Sequence, residues 1–299
     1  MQGLEIARDF FFRWGLPYLR REFPELSARI AAGRVFGSDV LGADDELSRD
    51  HNWGPQFELF LSADDFENVG TVVSERMNRE APNPWDGHRL AGHGSQSVIV
   101  HGIPQWFRDG FSLTHPPRQS SDWRRVPESH LYFLRHAAVW VDESGELSSW
   151  RTALHSYPRD IQLSRLSEEC FNVWHYGQYN FVERLTRRGD PLAVAQSLGQ
   201  FVEAVMRLRL LLSGDFTPYW KWLAHEFRKL GGAARYVAPM ESLLQSRDLD
   251  EQAGLVSAIC RHVHQELLDA GVITGQFATY HPMPLYRAHL ELKAKAEDG

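Results

Sequence analysis

The chain has 299 residues, 43% hydrophobic and 24% charged, with a formal net charge of -7 and a pI of about 6.1. That length suits two domains of roughly 150 residues, and the composition is that of a globular rather than a disordered protein. The acidic balance speaks against a protein whose main task is to grip nucleic-acid backbone, so no extended nucleic acid is expected as a partner.

The opening Met1-Gln2-Gly3-Leu4-Glu5 carries no basic or apolar leader pattern. No apolar run approaches the ~20 residues needed to cross a bilayer. A cytoplasmic protein without a membrane partner is the expectation. Cys170 and Cys260 sit in helical-looking sequence without metal-ligand spacing and read as buried thiols.

Ile6, Phe10, Phe11 and Trp14 share one face of a predicted first helix. Pro24 opens a second helix over Glu25 to Ala32, and Gly33 ends it. A short strand, Arg34 to Phe36, follows, and then Gly37 and Ser38, where glycine lets the backbone turn tightly and approach a ligand. Asp39 to Ser48 is a polar loop. Gln56 to Leu61 is apolar on both faces, as expected for a strand at the centre of a covered sheet. A helix to about Arg79, a connection rich in Pro, Gly and Trp, a third strand over Ser97 to His101 and a fourth over Ala137 to Val141 complete the first half. From about Asp160 the strand pattern stops, and amphipathic helices are predicted over Leu163 to Arg188, Pro191 to Ser213, Pro218 to Leu230 and Leu249 to Ala270, with a frayed tail from Glu291.

The stretch with most chemical content is Gly37-Ser38 followed by Asp50-His51-Asn52-Trp53-Gly54-Pro55. Backbone N–H groups at a Gly-Ser turn leading into a helix make an anion pocket, and the serine hydroxyl donates to phosphate oxygen. Carboxylates at i and i+2 on an adjacent strand point the same way and suit Mg²⁺ held against a triphosphate. Here those positions are Asp50 and Asn52. Asparagine offers a carbonyl oxygen without charge, so weaker metal binding is expected. Glu58 and Asp142 are the other carboxylates with a place in the strand pattern.

On these residues the chain resembles the nucleotidyltransferase-fold superfamily, the fold of DNA polymerase beta and the aminoglycoside nucleotidyltransferases. That signature is a hydrophobic residue, Gly-Ser, a spacer and Asp-x-Asp on the next strand. More closely, Gly37-Ser38, Ser48 and Asp50 to Pro55 resemble an uncharacterised bacterial subfamily whose motif reads Asp-His-Asp-Trp-Gly-Pro. Val139-Trp140-Val141-Asp142, Arg151, Tyr157-Pro158 and Pro218-Tyr219-Trp220-Lys221-Trp222 extend the likeness over most of the chain. The resemblance implies an α+β fold, with a nucleotidyltransferase-like small mixed sheet and helices over 1–158 and an all-helical domain over 159–299.

It further implies binding of a nucleoside triphosphate with Mg²⁺ and transfer of a nucleoside monophosphate to a small-molecule or protein hydroxyl. Gly37 and Ser38 would hold phosphate, Asp50 would ligate metal with Asn52 as a weak neutral ligand, and His51 would stand beside the site. Lys221 would offset phosphate charge while Tyr219 packs beside the base. His175 and Tyr179, on a helix interrupted by Gly177, suit a ligand wall or a close-packed hydrogen-bonded layer. Asn52 in place of an acid, and a third strand without one, motivate the alternative of a degenerate or repurposed fold that binds a small ligand or partner, or runs a different reaction. There is no Gly-x-Ser-x-Gly elbow, Gly-x4-Gly-Lys-Ser/Thr loop, His-Glu-x-x-His or Cys-x-x-Cys.

Overall fold

The computed structural model describes residues 2–47, 53–89, 96–277 and 282–298. The chain is α+β and falls into two compact units, Met1–His155 and Ser156–Gly299. All described strands belong to the first.

In the first unit a small mixed sheet has the order β3-β2-β1-β4, from β1 Ala31–Arg34, β2 Phe57–Leu61, β3 Val98–Gly102 and β4 Ala138–Asp142. β1 runs antiparallel to β2, with Ala31 opposite Phe60 and Gly33 opposite Glu58, and antiparallel to β4. β2 and β3 are parallel, Phe57 opposite Val98 through Leu61 opposite Gly102. A parallel pair needs a crossover connection, and the helical segments Ala63–Asp65, Phe66–Gly70 and Thr71–Glu80 lie between them in the chain. Successive strand side chains alternate faces. Phe57, Leu59 and Leu61 therefore join one core with Phe10, Phe11, Tyr18 and Met77, while Phe60 packs against the rings of His101 and Trp106.

β1 begins three residues earlier than the sequence pattern places it. The helix expected to reach Ala32 is only Pro24–Ser27, and Ala31 and Ala32 are buried in the sheet. Smallness is required at the next residue: the register with β4 shifts between Ala32 and Gly33, and a Cβ at Gly33 would lie 2.3 Å from the carbonyl oxygen of Ala138. Burial on both faces thus overrides alanine's helix propensity.

In the second unit the described secondary structure is all helical. Arg159–Asn172 continues into a π-helical stretch, Val173–Leu185, and the long helices Pro191–Leu212 and Leu249–Asp269 pack around it with Ala234–Gln245 and Pro284–Glu297. The helix Ala234–Gln245 has no counterpart in the sequence reading. The C-terminal segment is also not frayed from Glu291: Leu292 is buried, and the Glu291 carboxylate accepts from the N–H of Thr274 at 2.6 Å and of Gly275 at 3.2 Å. No described helix is long and apolar enough to cross a membrane.

Candidate functional site

β1 delivers the chain through buried Val35 into the Gly37–Ser38 turn. Gly37 has φ +144°, and a Cβ there would fall 2.1 Å from Asp39 Oδ1 and 2.9 Å from Arg34 Nη2. Both backbone and space demand glycine. The Ser38 carbonyl accepts from the N–H of Leu41 at 3.2 Å and of Ala43 at 2.8 Å, Gly42 N–H donates to the Asp39 carbonyl, and Val40 N–H donates to Asp39 Oδ1. The chain curls into successive turns here, within the stretch read from the sequence as a polar loop. The N–H groups of Gly37 and Ser38 and the Ser38 hydroxyl have no hydrogen-bond partner among the described residues.

Behind the turn lies a buried charge cluster. Arg34 Nε donates to Asp39 Oδ2 at 2.9 Å and Nη1 to Glu58 Oε1 at 2.9 Å, while Val35 N–H donates to Glu58 Oε2 at 3.2 Å. All three side chains are at most 4% exposed. Burial pushes both carboxyls above their ordinary range, opposed by the guanidinium they share. Burial works against the charge on Arg34, but Glu58 and Asp39 outweigh it and hold the guanidinium charged. The guanidinium thereby ties β1, β2 and the turn into one unit.

The loop beyond is fastened to the first helix, Gly3–Phe10. Asp44 Oδ2 accepts from Gly3 N–H at 2.7 Å and from Trp53 Nε1 at 3.0 Å. A Cβ on Gly3 would lie 2.6 Å from that indole nitrogen. Asp50, His51 and Asn52, the expected metal and ligand residues, lie outside the described residues. The remaining carboxylates are engaged elsewhere: Glu58 with Arg34, and Asp142 as acceptor for Gly145 N–H at 3.0 Å and Ser148 N–H at 2.7 Å, where it caps the helix Glu146–Ala153. Among the described residues no group of three or more His, Cys, Asp and Glu is placed to hold a metal ion.

The other predicted residues belong to the second unit and to two separate elements. His175 and Tyr179 lie on the π-helical stretch, where residues five apart become neighbours. Asn180 Nδ2 accordingly donates to the His175 carbonyl at 2.9 Å and meets its Nε2 at 3.1 Å, and Arg184 donates to the Tyr179 carbonyl at 2.7 Å. The Tyr179 ring stacks on Trp174 at 4.7 Å and carries the Arg184 guanidinium at 3.6 Å. His175 stacks on Phe171. Gly177 is needed for close packing, since a Cβ would lie 2.6 Å from the Phe201 ring. Tyr219, 47% exposed, and Trp220, 69% exposed, flank the exposed Lys221 at the start of the helix Trp220–Lys229, with Lys221 Nζ 5.5 Å from the Trp222 ring centroid.

Arg34, Asp39 and Asp44 are the residues sequence reasoning missed. A lone acid inside the buried strand Phe57-Glu58-Leu59-Phe60-Leu61 is the signal that was available, because a buried carboxylate requires a cation.

Residues 123–223 match a family model described as a domain of unknown function (DUF4037). No curated protein matches. Among solved structures the chain is similar to a nucleotidyltransferase-like protein from Exiguobacterium sibiricum 255-15, at 14% identity and a TM-score of 0.41 over 95% of this chain and 89% of that one.

Proposed function

We propose that the chain binds a nucleoside triphosphate with Mg²⁺ and transfers a nucleoside monophosphate to a hydroxyl of a small molecule or protein. The observation that supports this best is the Gly37–Ser38 turn. At the end of a central strand, two adjacent backbone N–H groups and a serine hydroxyl stand unengaged among the described residues. Such a set of donors suits phosphate oxygens. Asp50, with Asn52 as a neutral partner, would hold the metal, which supplies neutralisation of triphosphate charge. His51 would stand beside the metal, and in the second unit Lys221 and Tyr219 are the candidates for contact with a phosphate and a base, His175 and Tyr179 for lining a ligand. Phosphoryl transfer depends on positioning and charge neutralisation, and the role of this chain's residues is to orient the triphosphate. The test is calorimetric titration of the intact protein with ATP, GTP, CTP and UTP, each with and without Mg²⁺. Magnesium-dependent binding of one of them that is lost in Asp50→Ala supports the reading. Unchanged affinity and turnover in that variant sinks it.

A second reading, a degenerate or repurposed fold of the same kind, is favoured by the engagement of Glu58 with Arg34 and of Asp142 with a helix start. Neither carboxylate stands ready to replace the acid that Asn52 lacks. Asn52→Asp separates the two readings: a gain in Mg²⁺ binding and transfer marks a degenerate transferase, and no gain, alongside activity of another kind, marks new chemistry.

A further inference from the structure

A groove of about 630 Å³ opens in the second unit, between the N-terminal half of the helix Pro191–Leu212, the end of the helix Ala234–Gln245 and the start of the helix Leu249–Asp269. Its size lies within the range of small-molecule sites, which commonly sit between helices of bundles. The walls are Val194, Leu244 and Leu249, and the two buried lining residues, Leu198 and Gln252, form the floor. Two absences of side chain shape it. A Cβ added at Gly189 or at Gly199 would meet nothing within 4 Å.

Two polar groups in this apolar lining lack partners among the described residues. Gln252 is only 5% exposed; its Nε2 donates to the carbonyls of Leu243 at 3.1 Å and Ser246 at 2.9 Å, but its Oε1 is buried and accepts from nothing. The two bonds made by Nε2 fix the orientation of the amide, so Oε1 is the acceptor. Closed off from the groove, Oε1 offers a ligand no contact, and the polar handle of the lining is Arg247. Arg247, at the rim, forms no ion pair with any described residue. The carboxylates that flank it in sequence and fold are engaged: Asp248 caps Asp250 and Glu251 N–H, Asp190 caps Leu192 and Ala193 N–H, and Glu251 accepts from the Ser246 hydroxyl at 2.6 Å.

We propose that this groove is a binding site for a small amphipathic anion, with an apolar body between Val194, Leu198 and Leu249 and an acidic group at Arg247. The site is independent of the nucleotide reading, since its lining comes from residues 189–252 alone.

The probe is 8-anilino-1-naphthalenesulfonate, which combines an apolar body, an anionic group and an N–H, compared with N-phenyl-1-naphthylamine, which keeps the body and the N–H without the charge. Fluorescence titration of the intact chain is expected to show one saturable site for each probe. Gly199→Leu adds bulk to the groove from a position where a Cβ meets nothing within 4 Å, and should weaken both probes by about tenfold or more, with the near-ultraviolet circular dichroism and melting temperature retained. Arg247→Ala should weaken the sulfonate several-fold and leave the neutral probe unchanged. Non-saturable binding, or binding of both probes that persists in Gly199→Leu, overturns the proposal, as does an equal effect of Arg247→Ala on the two. A second protein helix seated on the same face would appear as concentration-dependent dimerisation that competes with the probe, and that outcome also overturns the small-molecule assignment.

Discussion

Arg34 is the residue on which the candidate site depends, because one buried guanidinium serves two buried carboxylates. Removing one partner of a buried pair is expensive, whereas removing excess charge need not be. Arg34→Met should therefore destabilise the protein by about 3–5 kcal/mol. Glu58→Gln leaves Arg34 paired with Asp39 but offers one acceptor where Arg34 Nη1 and Val35 N–H use two, so it should cost about 1–3 kcal/mol, less than Arg34→Met. Urea unfolding of both variants checks the ordering, and equal losses would show that the cluster is not a coupled charge set. His101 gives a second expectation. It is half-buried against Phe60 and Trp106, and burial lowers its pKa from 6.5 to about 4. A histidine with a depressed folded pKa binds its proton more readily when unfolded, so stability is complete above pH 6.5 and falls as pH drops toward 4. At 1.36 kcal/mol per unit the loss from this group reaches about 3 kcal/mol. The buried carboxyls of Asp39 and Glu58 act in the opposite sense, because their raised folded values make protonation of the native state easier. The difference between wild type and His101→Leu, measured by denaturant unfolding at pH 7.5 and pH 5, isolates the histidine. Parallel pH profiles would show that its protonation is not linked to folding.

At the scale of elements, two helical glycines with the same sequence appearance have opposite surroundings. A Cβ at Gly177 would press on the Phe201 ring at 2.6 Å, while one at Gly199 meets nothing. Gly199→Ala should gain about 1 kcal/mol from helix propensity, and Gly177→Ala should lose about 1–3 kcal/mol to overpacking, less the same propensity gain. Thermal melts of the two variants test this directly. No sequence pattern distinguishes them, since both lie in amphipathic helical runs and the difference resides in a residue from another element. The same division explains what was legible of the fold. β2, β3 and β4 were found within one residue because apolar runs such as Phe57 to Leu61 report burial on both faces. β1 was displaced because Ala31 and Ala32 report helix propensity, and only their pairing with β2 and β4 makes them strand residues. The Gly37–Ser38 turn was visible from its glycine. Its charge support was not, because Arg34, Asp39 and Glu58 are brought together by β1–β2 pairing rather than by spacing. Cys170 and Cys260, read as buried thiols, are buried, and burial raises both pKa values far above a reactive range.

At the scale of the whole molecule, the two units have separate cores. One cluster is drawn from residues between Phe10 and Val98, the other from residues between Leu163 and Leu292. A domain needs its own core to fold alone, and residues 156–299 contain one assembled from the π-helical stretch and the long helices around it. A fragment of residues 156–299 should therefore give a helical circular dichroism spectrum and a single cooperative urea transition, and a broad, probe-dependent transition would show that its core is incomplete. The complementary fragment, 1–155, contains Gly37, Ser38, Asp50 and Asn52 but not Lys221 or Tyr219. If the phosphate donors of the turn carry nucleotide binding, this fragment should still titrate with the triphosphate and Mg²⁺ that bind the intact chain, at reduced affinity. Because a charge-assisted contact to phosphate is worth about 1.5–3 kcal/mol, the lost lysine alone would weaken binding by roughly tenfold to a hundredfold. The same loss from Lys221→Ala in the intact chain would assign it to that side chain. Full affinity in both the fragment and the variant would leave Lys221, with the exposed Tyr219 and Trp220 beside it, as a surface with a different occupant.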